Sequence, residues 1–275
     1  MLAFIRLIPK RSLVSTNARV VAVVPTLRED PRRVLRLLLN QSLRPELIIV
    51  VAGSSSLAKF LTNILSAEEG FSDKVKVIYM KPELAEHIGV RVGKAINRAL
   101  NNIDLRKYDF LLKVDADVAM PLNYLERCLK LGADLVGLGP FMLVKMEPFL
   151  KLLSGRWPEV PTDDAYVMMC FKAAGLRIAP WPKGLVLERK SGGSWRYYYY
   201  RGIYDLKIGF DPINELLSVI SLVMHRRMLL PIFTLFGYLI AMMKGEQIYY
   251  FGKMNLVKSM TGRLSKLFGI RASKR

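Results

Sequence analysis

From Arg19 to Asp115 the chain alternates short β-branched runs with segments of helical period, and that alternation leaves few folds open. Residues 20–24 form an apolar run ending at Pro25, which reads as a buried strand. Asp30 followed by Pro31 supplies a cap and first-turn pair for a helix through Leu39. A second strand is expected over 47–51, stopped by Gly53 and three serines, and residues 57–65 have helical spacing. A third strand at 75–79, a helix over 83–100 and a fourth strand at 110–114 complete the series. Strands separated by helices at short linkers predict an α/β fold built on a parallel, doubly wound, Rossmann-like sheet. Such sheets take their ligands at the carboxyl ends of the strands, so the residues after each strand are where chemistry is expected.

The pattern divides the chain into three parts. Residues 1–16 are a short apolar and basic segment, too interrupted by Arg6 for a secretory signal, which implies a cytoplasmic protein. Residues 17–210 carry the α/β pattern, although its order is expected to loosen after Pro140. Residues 211–275 change to long apolar runs between basic clusters. Cys128 and Cys170 both sit in apolar helical patterns and read as buried free thiols rather than a disulfide.

Two acidic motifs stand out. Lys113-Val114-Asp115-Ala116-Asp117 places two carboxylates one residue apart just past a buried strand, where they can hold a divalent cation on the phosphates of a nucleotide. An acidic turn without function is the competing reading, and a lone DxD carries little weight. Thr162-Asp163-Asp164 precedes an apolar helix. Read plainly, it is a helix N-terminus with Thr162 as cap, where the dipole favours negative charge. Read chemically, it presents a general base on a rigid helix end. His87, expected on a helix, and His225, in a basic cluster, read as structural. Trp157, Trp181 and Trp195 fit sugar stacking and ordinary packing equally well.

Taken in order, the motifs resemble those of family 2 glycosyltransferases of the GT-A type. Val23-Val24-Pro25-Thr26 resembles the family's opening strand, and residues 93–100, with Asn97-Arg98, resemble its small-residue helix under the nucleotide site. Asp115-Ala116-Asp117 corresponds to the DxD, and Asp163-Asp164 to the acidic pair whose second member is the base. The similarity spans residues 19 to about 210. It implies a nucleotide-sugar donor held beside Pro25, Thr26, Arg28, Glu29, Lys94, Asn97 and Asp115, and Mg²⁺ or Mn²⁺ ligated by Asp117 with Asp115. Asp164 would then be the catalytic base of an inverting transfer. Two departures from the family pattern matter. Ala52-Gly53-Ser54 follows the second strand where the family has an acidic pair, and Glu188-Arg189-Lys190 stands where it often has a histidine. Glu188 is a candidate replacement metal ligand; Arg189 and Lys190 are candidates to grip phosphate directly.

In the tail, the apolar run 228–243 would be roughly 24 Å long as a helix, short of the ~30 Å hydrocarbon core, and has basic residues on both sides. Helices lying in the cytoplasmic face of a membrane are therefore expected in preference to a span, with Leu256, Met260, Leu264 and Leu267 on one face opposite Lys258, Arg263 and Lys266. Membrane lipids and a membrane-held acceptor, such as a polyprenyl-linked glycan, are the expected partners. The net charge of +19 predicts an anionic partner of some kind. Nucleic acid would satisfy it, but no nucleic-acid motif is present and the acidic pairs and apolar tail would go unused. An inactive relative acting as a membrane scaffold is the remaining alternative.

Overall fold

The computed structural model describes residues 18–27, 29–67, 73–188, 194–226 and 229–267. The segment 1–16, Arg28, Arg189 and Lys190 lie outside them. Strands β1 (Val20–Thr26), β2 (Leu47–Ala52), β3 (Val75–Tyr79) and β4 (Phe110–Val114) form where the β-branched runs predicted them. Between them lie α1 (Arg32–Leu39), α2 (Ser55–Ala67) and α3 (Ile88–Leu100). These four strands are mutually parallel, with Pro25 opposite Val51 and Val23 opposite Lys113.

Beyond β4 the expectation of loosened order is wrong. The short strand β5 (Val118–Ala119), α4 (Tyr124–Lys130), β6 (Leu135–Val136), β7 (Phe141–Lys145), α5 (Met146–Leu153), α6 (Asp163–Ala173), β8 (Ile178–Ala179) and β9 (Val186–Leu187) follow closely. The seven-stranded sheet runs β3-β2-β1-β4-β7-β6-β8, and β7 is antiparallel to both neighbours, so the sheet is mostly parallel rather than wholly so. Strand β7 begins directly after Pro140 and pairs Phe141 with Val114. Its position depends on a partner 27 residues upstream, which local periodicity does not report. Alternate residues of β1 feed two apolar layers: Val20, Ala22 and Val24 face one, Val21 and Val23 the other.

A helical layer follows: α7 (Trp195–Lys207), α8 (Pro212–Arg226), α9 (Ile232–Met243) and α10 (Tyr250–Leu267). Helices α7 and α9 touch backbone to backbone. A Cβ on Gly202 would lie 1.9 Å from the Thr234 carbonyl oxygen, and one on Gly237 1.9 Å from that of Tyr199. Only glycine permits so close an approach. Helix α10 lies on α6, where Asn255 Nδ2 donates to the Met169 carbonyl at 3.0 Å.

The apolar side of this layer points outward. On α8 the exposed residues Ile213, Leu217, Ile220 and Met224 form one stripe; on α9 Phe236, Leu239 and Met243 form another. On α10 it is Gly252 and Asn255 that are buried, while Met254, Val257 and Met260 are exposed. Among the described residues no helix is long and apolar enough to cross a membrane. Cys128 and Cys170 are both free and buried, as expected.

Candidate active site

The parallel strands end at a cleft enclosing about 150 Å³, walled by Pro25 and Thr26 at the end of β1, Leu27 and Glu29 just past it, Gly53 after β2, and Asp115 and Asp117 after β4. Helix α3 closes it with Ile88, Arg91, Val92 and Ala95. A wider groove of about 1090 Å³ continues from it past Ser54, Ser55, Phe60, Tyr79 and Lys81. Thr26 Oγ1 donates to the Glu29 carbonyl at 2.6 Å, and the Glu29 carboxylate accepts the Leu27 amide at 3.3 Å, so the turn after β1 is braced from within.

Lys113 organises the acidic side. It sits in β4 one residue out of step with the core residues Leu112 and Val114, and its side chain is almost wholly buried. Its Nζ donates to the Gly139 carbonyl at 2.6 Å and pairs with Asp115 Oδ1 at 2.6 Å. Burial works against the ammonium, but the charges of Asp115, Asp163 and Asp164 outweigh it and hold its pKa above the ordinary value. One lysine thus sits among carboxylates from β4 and from α6, elements far apart in sequence. Sequence reading passed over it because a lysine within an apolar strand gives no local sign of its partners.

The acidic pair at the start of α6 divides its labour. Asp163 is buried, and its Oδ2 accepts the Trp157 indole N–H at 2.8 Å. Burial, and then the neighbouring Asp164 charge, push its carboxyl well above the usual carboxylate range. Asp164 is half-buried; its Oδ1 accepts the Ala165 amide at 2.8 Å, and its Oδ2 lies close to Gly139. Thr162 is the N-cap residue by position, but its side chain makes no capping hydrogen bond.

Asn97 proves to be a clasp rather than a cleft residue. It is buried, accepts the Trp157 amide at 2.7 Å, and donates to the Trp157 carbonyl at 2.9 Å and to Glu159 Oε1 at 2.8 Å. One turn and two turns earlier, a Cβ on Gly93 or Gly89 would lie 2.4 Å from the Pro158 carbonyl oxygen or 2.3 Å from that of Pro161. The small residues of α3 therefore admit the strand of chain that delivers Asp163 and Asp164. Lys94 lies off the cleft, its Nζ 2.5 Å from Glu86 Oε1. The Glu188 carboxylate pairs with Arg33, while its backbone amide donates to the Asp117 carbonyl at 3.0 Å.

The helix expected from residue 83 begins at Ile88, because His87 ends the preceding turn as its N-cap: the His87 ring accepts the Gly89 amide at 3.2 Å. Arg91, which the sequence reading did not single out, faces the cleft, and its Nε is buried with no hydrogen-bond partner. A buried, unpaired guanidinium nitrogen lining the same cleft as two carboxylates suits an anionic group such as a metal-bound phosphate.

Among the described residues no three His, Cys, Asp or Glu side chains gather into a metal cage. Magnesium-like ions working on nucleotides need only one or two carboxylates, with phosphate and water completing the shell. Asp115 and Asp117, both lining the cleft, fit that role.

No family model matches this chain, and no curated protein is significantly similar to it. Solved structures do match. A mannosyltransferase from Pyrobaculum calidifontis, solved with GDP-Man and Mn²⁺, superposes at a TM-score of 0.55 and 15% identity, over 91% of this chain and 82% of that one. Glucosyl-3-phosphoglycerate synthase from Mycobacterium tuberculosis, solved with Mn²⁺ and UDP, matches at 0.46 and 11%, over 65% and 75%. The first of these likenesses shows a shared fold, a mixed α/β architecture with a mostly parallel central sheet.

Proposed function

We propose that this chain moves a sugar from a nucleoside-diphosphate donor to an acceptor hydroxyl, with inversion at the anomeric carbon. The observation that carries the reading is the meeting of two acidic motifs around the buried ammonium of Lys113, beside a cleft at the strand ends. The donor nucleoside would lie along the groove past Gly53 and Tyr79, with its diphosphate in the cleft between Asp117 and Arg91. Asp117 and Asp115 would hold Mg²⁺ or Mn²⁺ there, an ion that neutralises charge on a departing diphosphate.

In the transfer, the acceptor oxygen forms a bond to the anomeric carbon as the bond from that carbon to the diphosphate oxygen breaks. The proton of the acceptor hydroxyl passes to the Asp164 carboxylate, and the bonding pair leaves with the nucleoside diphosphate. Asp164 suits the base because it is only half-buried, whereas Asp163 is buried and tied to Trp157. The fold shared with a GDP-Man-bound mannosyltransferase supports the same reading.

Asp164→Asn should leave nucleotide binding near normal and slow transfer by roughly 10²–10⁴, the usual contribution of a positioned base. Thermal shift with a panel of nucleotides, with and without Mn²⁺, measures the first, and product formation the second. Near-normal transfer by the variant would falsify the assignment of the base.

The acceptor in this reading is membrane-held, such as a lipid-linked glycan, with the protein peripheral or monotopic on the cytoplasmic face. The outward apolar stripes of α8, α9 and α10 on a strongly basic chain support it, since an exposed apolar face with cationic surroundings suits an anionic bilayer surface.

A further inference from the structure

A second groove, of about 990 Å³, opens between the turn before α3, Pro161 and the first turns of α7. Its walls are aromatic: Trp195 and Tyr200 are each about half exposed, and the Tyr197 ring stacks on His87 at 5.7 Å and 16°. The charged groups along it are mostly paired within the protein, Glu86 with Lys94 and Lys207 with Glu246. What is left is a nearly neutral aromatic channel.

Polar atoms without partners mark the same place. His87 Nδ1 accepts the Gly89 amide, so a neutral His87 carries its proton on Nε2, and burial together with the Arg91 charge favours the neutral ring. That Nε2 is buried with no hydrogen-bond partner, as are Glu86 Oε2 and, just beyond, Thr162 Oγ1. Buried donors and acceptors left unmet in this way call for a ligand that supplies them. The groove also runs toward the proposed base: Ile88 lines both this groove and the strand-end cleft, and Pro161, which lines the groove, stands just ahead of the first turn of α6 that carries Asp164.

Resting on the transferase reading above, we propose that this groove is the acceptor subsite and takes a neutral sugar ring. Aromatic faces at Trp195 and Tyr200 provide the stacking that the apolar C–H face of a pyranose requires. The His87 Nε2–H donates to one ring hydroxyl, and another hydroxyl is directed to Asp164. An anionic head group would find little unpaired positive charge here apart from Arg196, which lies over the Trp195 ring at 5.5 Å.

The test uses the full chain, a nucleotide sugar that it binds, and methyl glycosides of glucose, galactose and mannose as probe acceptors. Nucleotide release is followed with and without each probe. One glycoside should stimulate release. Tyr200→Ala and His87→Asn, the latter keeping a capping side chain, should each raise its KM about tenfold or more. The donor KM and the acceptor-free release should stay within twofold. Failure of all three glycosides to stimulate, with donor hydrolysis still measurable, overturns the groove and leaves the transferase reading standing. So do unchanged glycoside KM values in the variants, as does a loss of vesicle binding alone, which would make these rings a membrane belt. If no nucleotide sugar is bound or turned over at all, it is the transferase reading that fails.

Discussion

The residue that most changes the interpretation of this chain is Lys113. A buried ammonium between carboxylates is costly to unmake from one side, because removing it leaves Asp115 and the Asp163–Asp164 pair facing one another without a counter-charge. Lys113→Met should therefore destabilise the protein by about 3–5 kcal/mol in denaturant unfolding. Adding Asp115→Asn should restore part of that loss, since one of the stranded charges is then gone. Equal stability of Lys113→Met and the parent would mean that the ammonium does not hold the two motifs together. Asp163 and Asp164 make the same point. Adjacent in sequence and alike in chemistry, they are separated by environment, one sealed under Trp157 and the other half-buried beside Gly139.

At the scale of elements, the helical layer stores two features that a composition count does not reveal. Glu215 on α8 is 1% exposed, and both of its carboxylate oxygens lack partners. It faces Asp205 and Arg201 of α7 and Tyr238 of α9. Burial, then the Asp205 charge, raise its pKa from 4.5 to about 8. The folded protein thus holds this proton more firmly than the unfolded chain does. The resulting stability is fully present below about pH 4.5 and is lost as the pH rises through about 8. Glu215→Gln should remove that loss. In urea unfolding near pH 9 the variant should exceed the parent by on the order of a few kcal/mol, one pKa unit being about 1.4 kcal/mol, and the difference should shrink toward pH 4. A pH-independent difference would show that the carboxyl does not titrate with folding. The glycine contact between α7 and α9 offers a second check. Gly237→Ala puts a methyl group against the Tyr199 carbonyl. It should cost roughly 1–3 kcal/mol, the usual penalty of overpacking, while nucleotide affinity measured in parallel stays unchanged.

For the whole molecule, the question is what covers the outward stripes. Cutting the chain after Gly209 is a poor test, because α9 packs on α7 and α10 on α6, so truncation would bare surfaces that are buried now. Point changes are cleaner. The full chain should sediment with anionic vesicles, and high salt should release only part of it. Each Lys or Arg near the surface contributes about 1 kcal/mol, screened within ~8 Å at physiological salt. The apolar stripes add roughly 25 cal/mol per Å² buried, which salt does not screen. Leu217→Ser with Phe236→Ser should therefore make release by salt complete. If salt alone already strips the parent from vesicles, the stripes do not enter the bilayer, and the case for a membrane-held acceptor loses its main support.

The amino-acid sequence alone was enough to place the first four strands, the turn after β1, and the order of the acidic motifs, because each is written in a run of neighbours with its own period or punctuation. It did not disclose β7 inside the sheet, nor the start of α3 at Ile88, since an antiparallel partner and a side-chain cap are settled by contacts rather than by composition. Asn97 looked like part of a nucleotide site and became a clasp on Trp157; Lys113, which stood in the acidic motif without a role of its own, became the hub of the acidic cluster. The tail is apolar and basic by composition. Only packing decided that small and polar residues of the helical layer, such as Gly202, Gly237 and Asn255, would face the protein while Leu217, Phe236 and Leu239 faced out. The physical reason is common to all of these. Local sequence sets what a segment prefers, but burial and electrostatics depend on what lies a few ångströms away, and that neighbour is chosen by the fold.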